Sequence, residues 1–241
     1  MEGIFQRKKM KSVLVVLAVF LLIFVAVLAR NARRGEGKTL NGVVKADFVT
    51  HVDRGMDAAM EQEWEKKVST LEVEMMKNPK DISLMLQMGN LKYQLGDLAS
   101  AQEWYERILS THPQDAPALE NLGQTLYEMG DFSGAQKRWR AALAIGPYEV
   151  TYLKLADLLQ EKFPERKAEI QPLLEEAIAT LGQTPGLLTR LGQWYAGEGR
   201  YQEALSHFEV AEQLAPDNTT LSLLIEQTRA AWTAAEAEAT P

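Results

Sequence analysis

Three histidines, His51, His112 and His207, are the first candidates for chemistry in this chain. No two of them stand at i, i+4, the spacing that lets one helix face present two imidazoles to a metal. His112 directly precedes Pro113, and His207 sits beside Phe208. The chain has no cysteine, which removes thiol catalysis, disulfides and cysteine metal sites and leaves the redox compartment open. The GQTPG stretch at 182–186 follows no strand, so it reads as a turn rather than a phosphate loop. Acidic runs at 61–63 and 72–74 read as solvated helix faces. No nucleophile stands with a base and an orienting group. No catalytic residue, metal or cofactor is therefore expected. What remains is recognition, and it requires a framework to position it.

That framework is a period of 34 residues. Gly89, Ala101, Tyr105 and Pro113 stand at gaps of 12, 4 and 8. Gly123, Ala135, Trp139 and Pro147 repeat those gaps, and so do Gly192, Ala204, Phe208 and Pro216. Within each unit the apolar positions recur at helical spacing, as in Met85, Met88, Leu91 and Leu95. The pair Gly96-Asp97 ends a first helix, because glycine adopts the left-handed cap conformation cheaply. A second helix of about 98–111 follows and stops at Pro113. The small residues permit close approach of the two helices, and Tyr105 is expected to fill the gap to the next hairpin. A lone hairpin cannot bury both faces, so the units must stack.

At these residues the chain resembles the tetratricopeptide-repeat family. The likeness is carried by Met88-Gly89, Gly96-Asp97, Ala101, Tyr105 and Pro113 in one unit. Leu122-Gly123, Gly130-Asp131-Phe132, Ala135, Trp139, Ala142 and Pro147 carry it in the next. Leu191-Gly192, Tyr195, Gly199-Arg200-Tyr201, Ala204, Phe208, Ala211 and Pro216 carry it in the last. The resemblance covers roughly 82–218, in units 82–115, 116–149, 150–184 and 185–218. The third departs from the pattern. Leu155-Ala156 replaces Leu-Gly, and a second helix of about 165–181 carries Pro172 inside, where proline kinks or breaks a helix. The family likeness implies a right-handed α-solenoid whose concave face binds peptide or protein, and it implies no catalysis.

In that family the first helix of each unit faces the groove. Counting away from the Leu-Gly packing side gives Gln87, Asn90, Tyr93 and Gln94 in the first unit. The second gives Glu120, Asn121, Gln124, Tyr127 and Glu128; the third gives Lys154, Leu158 and Lys162; the fourth gives Arg190, Gln193 and Trp194. Asparagine and glutamine offer paired donors and acceptors to an extended backbone, and tyrosine offers a flat apolar anchor with a polar tip. The alternative at each position is plain solvated surface. Some members of the family hold a terminal carboxylate between paired asparagines and several basic residues. Asn90 and Asn121 fit that pattern, but Leu86, Thr151 and Leu155 stand where basic residues belong, with only Lys154 nearby.

The flanks complete the plan. Residues 1–11 form a basic tail, and 12–29 are an apolar run bracketed by Arg7, Lys8, Lys9 and Lys11 before and Arg30, Arg33 and Arg34 after. Its 18 residues exceed the usual signal core of roughly 7–15, so an uncleaved transmembrane helix is expected rather than a cleavable signal. The flanking charges nearly cancel. A short basic tail resists translocation, which favours the repeats on the non-cytoplasmic, periplasmic side of a single-pass protein. Residues 30–54 read as a linker, with 43–52 ambiguous. Residues 55–78 read as a capping helix with the stripe Met56, Met60, Trp64, Val68, Leu71 and Met75, a short coiled coil being the alternative. Residues 219–238 read as a closing helix with Leu221, Leu224, Ile225, Thr228 and Trp232 inward.

Of 26 basic and 33 acidic residues, eight and two fall in 1–38, which leaves 18 against 31 in the remainder. An acidic body argues against nucleic acid. The expected fold class is all-α, a transmembrane helix followed by the solenoid and its caps. The expected function is a non-catalytic, membrane-tethered scaffold that recruits a protein or peptide, with the bilayer engaged through 12–29. The alternatives are a bacterial envelope assembly factor of the cytochrome c maturation type, which holds an apoprotein, or a homo-oligomer built through the 55–78 helix.

Overall fold

The computed structural model describes residues 48–239. The helices in order are α1 (Ala58–Lys77), α2 (Ile82–Gln94), α3 (Leu98–Thr111), α4 (Ala116–Met129), α5 (Phe132–Leu143) and α6 (Glu149–Lys162). A 3-10 turn (Pro164–Glu169) leads into α7 (Ile170–Leu181), α8 (Pro185–Gly197), α9 (Tyr201–Leu214) and α10 (Thr219–Ala239). Pairs α2–α3, α4–α5 and α8–α9 form hairpins, each stacked on the next element in the chain.

Aspartate sets most of the helix starts. The carboxylates of Asp57, Asp81, Asp97, Asp115 and Asp131 each accept a hydrogen bond from an amide in the first turn of α1 to α5. Such a cap satisfies amides that the helix itself cannot, for about 1 kcal/mol each. Thr184 does the same for α8.

The packing rule behind the period has one contact that the sequence expectation did not include. The aromatic ring lies over the glycine of its own hairpin. A Cβ on Gly89 would come within 2.6 Å of the Tyr105 ring, one on Gly123 within 2.5 Å of Trp139, and one on Gly192 within 2.6 Å of Phe208. Glycine is required there because the ring occupies the place of its side chain. Ala101, Ala135 and Ala204 are fully buried beside these contacts, whereas Pro113, Pro147 and Pro216 are exposed at the turns. In the third unit alanine returns at 156, and the position corresponding to the ring is Pro172.

Pro172 also breaks nothing. The chain spends residues 164–169 in a 3-10 turn, and Pro172 falls in the first turn of α7, where its missing amide is not needed. The expected helix over 165–181 is corrected to this shorter one.

At the leading end, α1 covers the first hairpin with Val68, Leu71 and Met75, which join Met85 and Met88 in one cluster. Only the carboxy-terminal half of the predicted stripe is buried: Met56 precedes the helix, Met60 is exposed, and Trp64 is half-buried under Lys67 Nζ. At the other end, α10 buries Leu221, Ile225 and Thr228, with Leu224 and Trp232 packed at the edge.

The transmembrane part of the expected fold class is corrected. No helix among the described residues is long and apolar enough to cross a membrane. The class is an all-α repeat solenoid, and the run at 12–29 lies outside the described residues.

The linker is also partly a structural element. Residues 48–54 run extended along the hairpin turns. His51 pairs antiparallel with Asp97. The Val49 amide donates to Met129 O at 3.0 Å, the Val52 amide to Gly96 O at 2.9 Å, and the Ala99 amide to Thr50 O at 3.1 Å. Gly96, at φ +79°, permits this approach: a Cβ there would collide with the Val52 carbonyl.

Candidate functional site

Relative to the glycine of each unit (Ala156 in the third), the polar first-helix residues fall into fixed registers, and neighbouring units are linked register to register. The residue one after the glycine meets the residue two before it in the next unit. Asn121 Nδ2 donates to Asn90 Oδ1 at 2.9 Å, and Arg190 Nε donates to Asp157 at 2.8 Å. The tyrosine four after the glycine donates to the glutamate five after it in the next unit. This links Tyr93 to Glu128 in a short bond and Tyr127 to Glu161 at 3.1 Å. Thr151 donates to Glu120 in another short bond, and Arg190 adds contacts to Ala156 O at 3.3 Å and Gln160 at 3.0 Å. Several expected binding residues therefore also clip one unit to the next. Burial and the adjoining Glu128 carboxylate push the Tyr93 hydroxyl up to about 12, so it stays protonated and donating.

The register two after the glycine turns inward. Leu158 is fully buried and Trp194 is 7% exposed, with Trp194 Nε1 donating to Lys167 O at 3.2 Å. Thr125, in the same register, is buried too. Their burial removes Leu158 and Trp194 from the expected groove. Lys154 lies over the Trp139 ring at 5.6 Å and Lys162 over Phe132 at 5.0 Å, while Gln193 is exposed.

Five of the expected groove residues do converge. Asn90, Tyr93, Gln94, Asn121 and Gln124, with Tyr105 beneath, line a polar cavity of about 260 Å³. Asn90 and Gln94 also border a larger, mostly apolar cavity of about 630 Å³, which Gln87 lines with Trp64, Leu71 and Leu91. The α1 wall of that cavity was not foreseen, although Trp64 at the edge of the stripe was its available signal. Asn90 Oδ1 accepts from both Tyr105 Oη at 2.8 Å and Asn121 Nδ2. Asn90 Nδ2 and Asn121 Oδ1 take no part in these two bonds, and on residues that both line the cavity they match the acceptor and donor of one peptide group. No cation lines the smaller cavity, Leu86 is half-buried, and Thr151 and Leu155 are buried, so the basic half of a carboxylate clamp is missing.

A tetratricopeptide-repeat model matches residues 92–156, and a second matches 185–218. The chain carries tetratricopeptide repeats. Three solved structures share the fold of these repeats. One is MamA, 17% identical with TM-score 0.57 over 70% of this chain and 99% of that one. Another is YrrB, a tetratricopeptide-repeat protein with an unusual peptide-binding site, 20% identical with TM-score 0.54 over 68% and 84%. The third is the C-terminal part of a repeat-containing protein from Cytophaga hutchinsonii, 19% identical with TM-score 0.60 over 70% and 66%. No curated protein matches the sequence. Identity this low speaks for the repeat fold alone.

In the last repeat, His207 stacks flat on Tyr195 with centroids 5.2 Å apart. Burial lowers the His207 pKa below its ordinary 6.5, against the opposing pull of Glu175 and Glu203. The folded repeat thus favours the neutral ring, and the unfolded chain binds more protons below about 6.5. Stability supplied by this site is complete above pH 6.5 and falls as the pH drops through the window beneath it. Thermal unfolding measured from pH 8 to pH 5 should show this decline, and His207→Phe should flatten it. An unchanged slope in the variant would assign the decline to other groups.

Proposed function

We propose that this repeat protein is a non-catalytic adaptor whose groove along α2 and α4 binds an extended segment of a protein partner. The observation that carries the reading is the Asn90–Asn121 pair: the bonds from Tyr105 and Asn121 to Asn90 Oδ1 fix both amides at the lining of the polar cavity. The apolar cavity beside it supplies room for one large side chain next to the bound backbone. The peptide-binding site of YrrB gives no residue-level support at 20% identity, so the reading rests on these side chains.

The test is selection of peptides from a displayed random library against the full chain. Peptides selected this way should lose about tenfold in affinity to Asn121→Ala, the worth of one hydrogen bond of roughly 1.4 kcal/mol. Selected peptides that bind Asn121→Ala and Gln94→Ala as tightly as wild type would place the binding surface elsewhere.

A further inference from the structure

Arg54 is where the 48–54 segment reaches toward the groove. Its Nη2 donates to the Glu128 carboxylate at 2.8 Å and to the Tyr93 carbonyl at 3.0 Å, and its guanidinium lies 4.8 Å from the centroid of the Tyr93 ring. A carboxylate, a carbonyl and a ring face together match the planar, always-charged guanidinium better than they match an ammonium. Arg54 Nε is nonetheless buried with no hydrogen-bond partner.

The rest of the segment is held lightly. Phe48, Val49, His51 and Asp53 are all exposed. Its other ties are three main-chain bonds to the turns, which depend on no particular side chain, and the half-buried Val52, which packs at the edge of the core. The segment stays in place because residues 55–57 join it directly to α1, which raises its local concentration to roughly the millimolar range. The part of the chain that carries this site, 39–241, holds 18 basic against 31 acidic residues and so attracts basic segments.

We propose that Glu128 and Tyr93 form an arginine-recognition site, filled in cis by Arg54. The partner segment that enters the groove carries an arginine and takes this site by displacing residues 48–54. The proposal rests on the adaptor reading and adds the partner's chemistry and a built-in competitor.

The probe is a labelled peptide of residues 48–56, blocked at both ends. It is titrated into the full-length wild type and into a full-length variant in which 48–54 is replaced by a Gly-Ser stretch of equal length. The variant should bind at least tenfold more tightly than wild type. The peptide with Arg54→Ala, and the replaced variant carrying Glu128→Gln, should both lose that gain. Hydrogen exchange should show the α2 and α4 amides equally protected in both proteins, so that a change in binding reports the site and not a loss of fold. Equal binding to both proteins, no binding to the replaced variant, or binding that does not need the arginine would each overturn the proposal. Because the readout does not involve Asn121 or Gln94, failure here leaves the groove reading standing, and failure at Asn121 leaves this one standing.

Discussion

Trp139→Ala is expected to cost about 3–5 kcal/mol of unfolding free energy. The indole is 2% exposed and lies over Gly123, and its Nε1 donates to Glu120 O at 3.3 Å. The Tyr127 ring stands 5.9 Å from it. Removing the indole opens a void between α4 and α5 that Gly123, having no side chain, cannot fill. Gly123→Ala should also destabilise, by about 1–3 kcal/mol, because the ring must yield to a Cβ placed 2.5 Å away. The two sites touch, so the double variant should cost less than the sum of the single ones. Urea denaturation followed by circular dichroism gives all three values. A loss below about 1 kcal/mol for Trp139→Ala would refute the claim that this contact organises the repeat.

Ending the chain after Asn218 should have the second large effect, and a local one. Leu221 and Ile225 are each worth roughly 1.5–3 kcal/mol of burial, and Leu224 and Trp232 add part of theirs. Without α10, α9 turns an apolar face to water. Because repeats are stabilised by their neighbours, the loss should concentrate in α8 and α9 and leave α4 and α5 protected. Hydrogen exchange resolves the two regions. Uniform loss of protection across the repeats would mean that they fold as one cooperative block, contrary to this expectation.

The architecture was legible because its causes are side chains at fixed distances. A ring sixteen residues after a glycine, an aspartate before a helix and a left-handed glycine at a turn each leave a mark in the sequence. The 48–54 segment left almost none, since main-chain hydrogen bonds are indifferent to side-chain type and the side chains that hold it, Val52 and Arg54, stand without a periodic pattern. The third unit was misread because a 3-10 turn and a first-turn proline look, in sequence, like a broken helix. In the groove, Asn90, Asn121, Gln94 and Gln124 could be placed by counting, but the count sent Leu158 and Trp194 outward by ignoring the neighbouring units. Trp194 is buried with its Nε1 bonded to Lys167 O of the preceding unit, a fact of stacking rather than of helical period.

The register-to-register links have a mechanical side. Asn90–Asn121, Tyr93–Glu128, Tyr127–Glu161 and Asp157–Arg190 join successive coils along one side of the stack, like hooks along the inside of a spring. A ligand that draws a hydrogen bond from one of these side chains unfastens a hook as it binds. Occupancy is thereby converted into slack between two coils, and tension that spreads the coils lowers affinity in return, because coupling of this kind is reciprocal.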